Sequence, residues 1–176
     1  MSGARQIAPA KCRHCGESLR HSVVDLGVSP LCESFVAPNH LNSMEPFYPL
    51  HVLICGSCYL VQLHEYVSPK EIFSEYAYFS SYSSSWVEHA RRYCIAIKER
   101  LNLGPDSLVV EIASNDGYLL QHFLPLSVPV LGIEPAANVA KVAQEKGIPT
   151  HVCFFGVKLA RELAQVVTPE RDAIVS

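Results

Sequence analysis

The C-terminal half of the chain alternates between the continuous apolar runs of buried strands and the apolar stripes of amphipathic helices. The runs predict four strands, at "SLVVEIA" (107–113), "PVLGIEP" (129–135), "PTHVCFF" (149–155) and "DAIVS" (172–176). Helical periodicity predicts three helices between them, opening from Tyr118 to Phe123, over 136–147 and over 158–166. Strands that alternate with helices of this length indicate a parallel sheet with right-handed crossovers, so we predict the α/β fold class.

One long helix is predicted ahead of this half, from about Trp86 to Leu103. Apolar side chains recur there at helical spacing, at Trp86, Ala90, Tyr93, Ile97 and Leu101. Ser85 with Glu88 three residues later fits a capping box, and Gly104 followed by Pro105 predicts the end of the helix.

The segment before that helix, "YAYFSSYSSS" (76–85), has the period of neither a helix nor a strand. Its aromatic rings need cover while its hydroxyl groups need hydrogen-bond partners. Two interpretations stay open: a loop whose tyrosines fill the gap between two domains, or a loop that lines a pocket at the domain junction, where binding sites often form.

The N-terminal third contains short apolar runs separated by prolines. "HSVVDLG" (21–27) and "YPLHVLIC" (48–55) predict short strands, and the intervening loops carry Pro30, Pro38 and Pro46. A region of about 60 residues with so little helical pattern can bury only a thin core, so we expect an added cross-link.

Two C-x-x-C pairs supply that cross-link, Cys12 with Cys15 and Cys55 with Cys58. Glycine lies just after the first pair and inside the second, where it lets the backbone turn its amides toward the sulfurs. Four thiolates complete the tetrahedral shell of Zn²⁺ and leave no open position, so we predict a closed, structural zinc site. The 39 residues between the pairs exceed the usual spacing of about 15 to 20, and they must therefore fold.

Other roles for these residues are less favoured. Neither pair lies where a strand enters the helix of a βαβ unit, which argues against a redox pair. His14 could replace a cysteine as a ligand, but four thiolates already suffice. The remaining cysteines, Cys32, Cys94 and Cys153, are predicted to be core residues.

Composition and charge limit the classes of binding partner that we expect. The 176 residues are 49% hydrophobic and 18% charged, which is a globular composition, and the formal net charge is −3. Basic residues are scattered, so we expect neither nucleic acid nor membrane as a partner. The chain shows no signal peptide and no membrane-spanning run, so we expect a cytoplasmic protein whose seven cysteines are thiols or metal ligands.

The first strand of the α/β half ends in a turn, "EIASNDG" (111–117), where such folds bind cofactors. A dinucleotide turn carries three glycines that let the backbone approach a pyrophosphate, whereas this turn has alanine and asparagine at the first two positions. Glu111 would also repel a pyrophosphate by its charge. We therefore predict that only Gly117 is required and that the ligand is not a dinucleotide.

A cationic cofactor without phosphate suits the same turn. S-adenosylmethionine carries an ammonium, a sulfonium and an adenosine, so Glu111 would attract it. Glu134 ends the next strand, where an acid can accept hydrogen bonds from both ribose hydroxyls. Two alternatives remain: an α/β domain without a cofactor, in which both glutamates are solvated, and a nucleotide or nicotinamide site.

Several motifs together resemble the sugar C-methyltransferases that act on nucleotide-linked keto-deoxyhexoses. In chain order these are "CRHCG", "PLCESF", "YPLHVLICGSCYLVQL", "YAYFSSYSSSWVEHARRY", "VVEIASNDGYLL" and "VLGIEPAANVAKVA". The resemblance covers nearly the whole chain, and the set is far more specific than any one motif.

The resemblance implies a zinc-binding loop/β domain at 1–68, a connector loop and helix at 69–104, and an incomplete Rossmann-like class I methyltransferase sheet at 105–176. It implies Zn²⁺ on the four paired cysteines and S-adenosylmethionine on Tyr82, Glu111, Ala113, Asn115, Asp116, Gly117, Glu134 and Pro135. It also implies that connector tyrosines face the cofactor or the sugar, with Tyr76 as the first candidate for catalysis and Tyr78 and Tyr82 as the alternatives.

The implied reaction is methylation of a carbon beside a ketone, on a small-molecule substrate that is a sugar nucleotide. This requires a general base and a stabilised enolate. His89 and His122 fall on helices and His64 in a linker, so we expect the base beyond Ser176 and the chain to be a fragment. A zinc-stabilised binding module that kept the methyltransferase scaffold without catalysis is the alternative.

Overall fold

The computed structural model describes residues 10–166 and 173–175. It divides the chain into two compact units, Met1–Ser68 and Pro69–Ser176. No helix in the described part of the chain has the length and apolar character needed to cross a bilayer.

The first unit contains a three-stranded antiparallel sheet in the order β1-β2-β3. Its strands are β1 His21–Ser29, β2 Tyr48–Ile54 and β3 Val61–Leu63. The β1–β2 register shifts between Asp25 and Val28, where Gly27 has a φ of +80° and donates to the Asp25 carboxylate over 2.9 Å. A short 3₁₀ helix, Pro38–His40, lies in the loop between β1 and β2.

The second unit contains a four-stranded sheet in the order β6-β5-β4-β7, in which every neighbouring pair is parallel. Its elements are α1 Pro69–Phe73, α2 Ser84–Leu101, β4 Leu108–Ile112, β5 Val130–Ile133, α3 Ala137–Glu145, β6 Thr150–His151, α4 Val157–Val166 and β7 Ala173–Val175. The predicted α/β class with a parallel sheet is therefore confirmed.

Helix α2 starts two residues before the predicted position, and its cap differs from the predicted one. Ser83, rather than Ser85, is the N-cap: its backbone is extended and its Oγ accepts from the Trp86 amide over 3.3 Å. The helix ends where Asn102 takes a left-handed conformation, with φ +50°. Asparagine tolerates that conformation, so the helix stops before the glycine that the sequence indicated.

The helix predicted from Tyr118 is absent from the described chain, which has two 3₁₀ turns there, Leu120–His122 and Leu124–Leu126. Pro125 supplies the reason, because it has no amide hydrogen and disfavours a helical conformation in the residue before it. The strand predicted over 149–155 is likewise reduced to Thr150–His151. Its partner β5 ends at Ile133, so the residues that follow have no strand to pair with.

The core of the second unit lies between α2, β4, the 3₁₀ turns and α3. Its buried members are Cys94, Leu103, Val109, Leu120, Phe123, Val128, Val130, Ala143 and Ile148. The core role predicted for the three remaining cysteines holds for Cys94 only, since Cys32 is exposed and Cys153 is half-buried.

Candidate functional site

The four paired cysteines come together in the first unit. Their sulfur atoms all lie within 4.8 Å of one another. The closest contacts join one pair to the other, with 3.5 Å between the sulfurs of Cys12 and Cys58 and 3.5 Å between those of Cys15 and Cys55. Tetrahedral zinc with bonds of about 2.3 Å separates its sulfur ligands by about 3.8 Å, so the cluster fits this ion. His14 is exposed and lies outside the cluster.

Each C-x-x-C pair sits on a tight turn with a left-handed residue directly after its second cysteine. That residue is Gly16, with φ +78°, in the first turn and Tyr59, with φ +61°, in the second. In the second turn the amide that follows Gly56, that of Ser57, donates to the Cys55 sulfur over 3.4 Å, as expected of a glycine inside the knuckle. Gly56 serves another purpose there, because a side chain on it would lie 3.1 Å from the His21 ring.

Gln62 is a buried residue of this centre that sequence reasoning missed. Its Nε2 donates to the Cys12 sulfur over 3.3 Å, and its Oε1 accepts from the Arg13 amide over 3.0 Å. The backbone amide of Cys15 and then Gln62 lower the pKa of Cys12 to about 5. Donors of this kind stabilise the thiolate that a metal needs and orient it. A glutamine four residues after a knuckle gives no recognisable signal in one sequence.

Little apolar burial supports the first unit. Its buried hydrophobic cluster consists of Cys12, Leu19 and Cys55, and two of these three are the cysteines themselves. Strand β1 is exposed along nearly its whole length. A core this small is typical of a domain whose folding depends on a bound metal.

In the second unit, the turn after β4 has an unusual backbone. Ala113, Asn115 and Gly117 all have positive φ, at +58°, +50° and +75°. The left-handed backbone is thus present at all three positions although only one of them is glycine, and the alanine bears a cost of roughly 1 to 2 kcal/mol. Conformational strain that persists at a turn beside a strand end is typical of a functional site.

Two glycines let this turn lie close to its neighbours. A side chain on Gly117 would lie 2.2 Å from Ile148, and one on Gly132 in β5 would lie 2.5 Å from the Ser114 hydroxyl. The turn is thus seated directly against β5 and the segment before β6.

Glu134 is buried directly after β5 and holds the turn in place. Its Oε2 accepts from the Asn115 amide over 2.9 Å, and its Oε1 accepts from the Ala136 amide over 2.8 Å. An ionised carboxylate offers about four acceptor positions, so two remain for a ligand. Pro135 follows it and is half-buried.

Glu111 is buried within β4, and its situation differs from that of Glu134. Among the described residues, no donor lies within hydrogen-bond distance of its Oε2. Burial, followed by the charges of Glu134 and Asp116, raises its pKa to about 8. The site therefore holds one stabilised carboxylate and one that lacks compensation.

The connector lies directly on the turn. The Ser80 amide donates to the Asn115 side chain over 2.8 Å, and Asn115 donates back to the Tyr78 carbonyl over 3.2 Å. Lys146, at the end of α3, donates to the Ser81 hydroxyl over 2.9 Å and to the Asp116 carbonyl over 2.7 Å. The structure shows that Asn115 and Asp116, which were predicted as cofactor ligands, hold the connector.

The predicted connector tyrosines occupy different environments. The backbone of Tyr76 makes two hydrogen bonds with the Asn138 side chain, at 3.1 and 2.7 Å, and its ring lies half-buried against Phe73. The Tyr82 side chain is 94% exposed. Tyr76 is therefore the better fixed of the two.

A cleft of about 340 Å³ opens beside the end of β4. Its lining combines aromatic rings from α2 and the turn with the acid of β4, at Trp86, His89, Tyr93, Tyr118 and Glu111. The Trp86 ring stacks on His89 at 5.3 Å and on Tyr118 at 6.0 Å between centroids. The sequence predicted Trp86 and Tyr93 as a packing stripe, and the structure places both at a cleft.

One protein family and one curated protein match the chain. Residues 12–73 match the family described as "Putative zinc binding domain". C-methyltransferase NovU of Streptomyces niveus is 32% identical over 154 residues, which cover 88% of this chain and 37% of that protein. The chain thus spans well under half the length of the curated relative that it matches.

Together the two matches cover both units of the chain. The family match contains all four cysteines of the cluster, which supports zinc as its ion. The relative's match also extends over the second unit, which contains the turn and both glutamates. These findings confirm the resemblance inferred from the motifs: the chain is related over most of its length to a C-methyltransferase, and its residues 12–73 match a family of zinc-binding domains.

Proposed function

We propose that the protein takes part in methyl transfer from S-adenosylmethionine, with structural zinc in its first unit and a Rossmann-like class I methyltransferase sheet in its second. The observation that carries this proposal is the turn after β4, where three left-handed residues lie between two buried acids at adjacent strand ends. The turn bears no phosphate-binding set of glycines, and its acids favour a cationic ligand. Relationship to a C-methyltransferase supports the same reaction class.

In this proposal the cofactor's ribose binds Glu134, whose two free acceptor positions suit two hydroxyl groups. The backbone of Ala113, Asn115, Asp116 and Gly117 forms the wall on which the nucleoside lies, with Pro135 beside it. Glu111 faces the positive end. Tyr82, which is exposed, would contact the cofactor only if the connector adjusts on binding.

The proposed methyl acceptor is a carbon beside a ketone of a nucleotide-linked deoxysugar. Bound S-adenosylmethionine would supply an electrophilic methyl group. Tyr76, fixed by Asn138, would orient the sugar or the cofactor through its hydroxyl group. Zinc plays no part in this chemistry, because four thiolates fill its coordination shell.

Titration calorimetry with S-adenosylmethionine tests cofactor binding. Wild-type protein should bind, and Glu134→Gln should bind about 10- to 100-fold more weakly, because a hydrogen bond to a charged acceptor contributes roughly 1.5 to 3 kcal/mol. Glu145→Gln, an exposed change on α3, is the matched control and should bind like wild type. Absence of binding by wild type, or equal affinity of Glu134→Gln, would contradict the proposal.

A further inference from the structure

Three acids lie buried at one end of the parallel sheet. They are Glu111 in β4, Asp116 in the following turn and Glu134 after β5, each with at most 6% of its surface exposed. Like charges in a poorly solvated site repel one another, and so such groups do not all stay ionised unless donors compensate each of them. The hydrogen bonds around each carboxyl group therefore indicate which of the three is protonated most readily.

Two of the acids have donors. Glu134 receives two backbone amides, as described above. Asp116 Oδ2 receives the Ser81 amide at 3.3 Å and the Lys146 ammonium at 3.4 Å, although its Oδ1 lacks a donor in the described structure. Glu111 Oε2 has no such donor within the described ranges, and neither a lysine nor an arginine forms an ion pair with Glu111 there.

The groups that face Glu111 from the other elements do not compensate its charge. Cys94 and His89 come from α2 and Tyr118 follows the turn, and none of them is a lysine or an arginine. Burial and then the charge of Glu111 raise the pKa of Cys94 to about 12, so that thiol stays neutral. The Glu111 carboxyl group therefore favours its protonated form.

The aromatic cleft opens directly on this acid. Stacked rings of Trp86, His89 and Tyr118 line it together with Tyr93. The face of an aromatic ring attracts a cation, most strongly when the cation has lost its water. An apolar wall with a buried carboxyl group suits an organic cation better than a hydrated metal ion.

We propose that the aromatic cleft receives the cationic end of S-adenosylmethionine, and that Glu111, a neutral carboxylic acid beforehand, releases its proton to solvent as that cation binds. This inference rests on the proposed function for the identity of the ligand. On binding, the O–H bond of Glu111 breaks and the proton passes to the buffer. The positive charge of the ligand then takes the place of the proton beside the carboxylate.

The proposal predicts that cofactor affinity depends on pH. Glu111 has a pKa of about 8 in the free protein, so it is protonated at pH 6.5. Below that value, binding that releases one proton strengthens about tenfold for each unit by which the pH rises. Above pH 8 the acid is already ionised, and Glu111 adds no further dependence.

Calorimetry in several buffers of different ionisation enthalpy, at pH 6.5, counts the protons released on binding of S-adenosylmethionine. Wild type should release about one proton. Glu111→Gln, which keeps the shape of the side chain, should release none. Glu145→Gln, on the exposed face of α3, should release one. A carbon-detected NMR titration of Glu111 in the free protein should show its transition near pH 8.

The outcomes separate this inference from the proposed function. If wild type binds S-adenosylmethionine without proton release, or if Glu111→Gln releases as many protons as wild type, the proton coupling is wrong and the function stands. If wild type does not bind S-adenosylmethionine at all, the proposed function is wrong, and the assignment of this ligand to the aromatic cleft is wrong too. A Glu111 transition near the ordinary 4.5 would by itself overturn the neutral acid.

Discussion

Gly117 meets two separate requirements at the residue scale. Its φ of +75° disfavours any side chain, and a Cβ there would lie 2.2 Å from Ile148. Gly147 shares the first requirement, with φ +83°, but nothing lies within 4 Å of the position its Cβ would take. The two glycines therefore allow backbone strain and crowding to be measured apart.

Alanine at each position should give different losses of unfolding free energy. We expect Gly147→Ala to lose about 1 kcal/mol, from strain alone. Gly117→Ala should lose about 1 to 3 kcal/mol more, because Ile148 must move. Urea unfolding followed by the fluorescence of Trp86, the chain's one tryptophan, measures both. Equal losses would show that Ile148 moves away from a side chain at position 117 without any loss of unfolding free energy.

The sequence shows residue chemistry better than residue conformation. The four cysteines and both glutamates could be identified because thiolates and carboxylates at motif spacing carry a chemical meaning. The left-handed backbone of Ala113 and Tyr59 could not, because neither residue type favours it and the surrounding contacts impose it. Gln62 was missed for a similar reason, since its role depends on a strand returning to the first knuckle.

Helices and strands are predictable where their own pattern decides them. Helix α2 and strands β4 and β5 have clear periods and lie within a residue or two of the predicted segments. Strand β6 was predicted too long because its length depends on β5, and the helix after Tyr118 failed because Pro125 stops it. The end of a strand or helix cannot be predicted from its own residues when a neighbouring strand or a following proline determines it.

The start of α2 offers a test at the scale of the element. Ser83→Ala removes the acceptor of the Trp86 amide and should lose about 1 kcal/mol of unfolding free energy. Ser85→Ala, two residues later inside the helix, should stay within about 0.5 kcal/mol of wild type. Urea unfolding followed by circular dichroism compares the two. A larger loss in Ser85→Ala would restore the cap that the sequence indicated.

At the scale of the whole molecule, the two units differ in how they are stabilised. The first has a buried cluster of Cys12, Leu19 and Cys55, whereas the second has an extended apolar core. The metal cross-link should therefore matter to the first unit far more than to the second. This difference makes the stability of the two units separable.

Metal analysis should find one zinc ion per chain. The double change Cys55→Ser with Cys58→Ser should abolish it, while Cys32→Ser, an exposed cysteine outside the cluster, should keep it. Hydrogen exchange should then show lost protection in β1, β2 and β3 and retained protection in β4 and β5. Protection of the first three strands without zinc would refute a structural role for the metal.

The contacts of the connector also bear on the order of folding. Lys146 reaches back 65 residues to Ser81, and Ser80 contacts Asn115, 35 residues ahead. Contacts between residues so far apart in the chain form late, because a long loop must close before they are made. We therefore expect the connector to become ordered after β4, β5 and α3 have assembled, which would make its docking a late step in building the site.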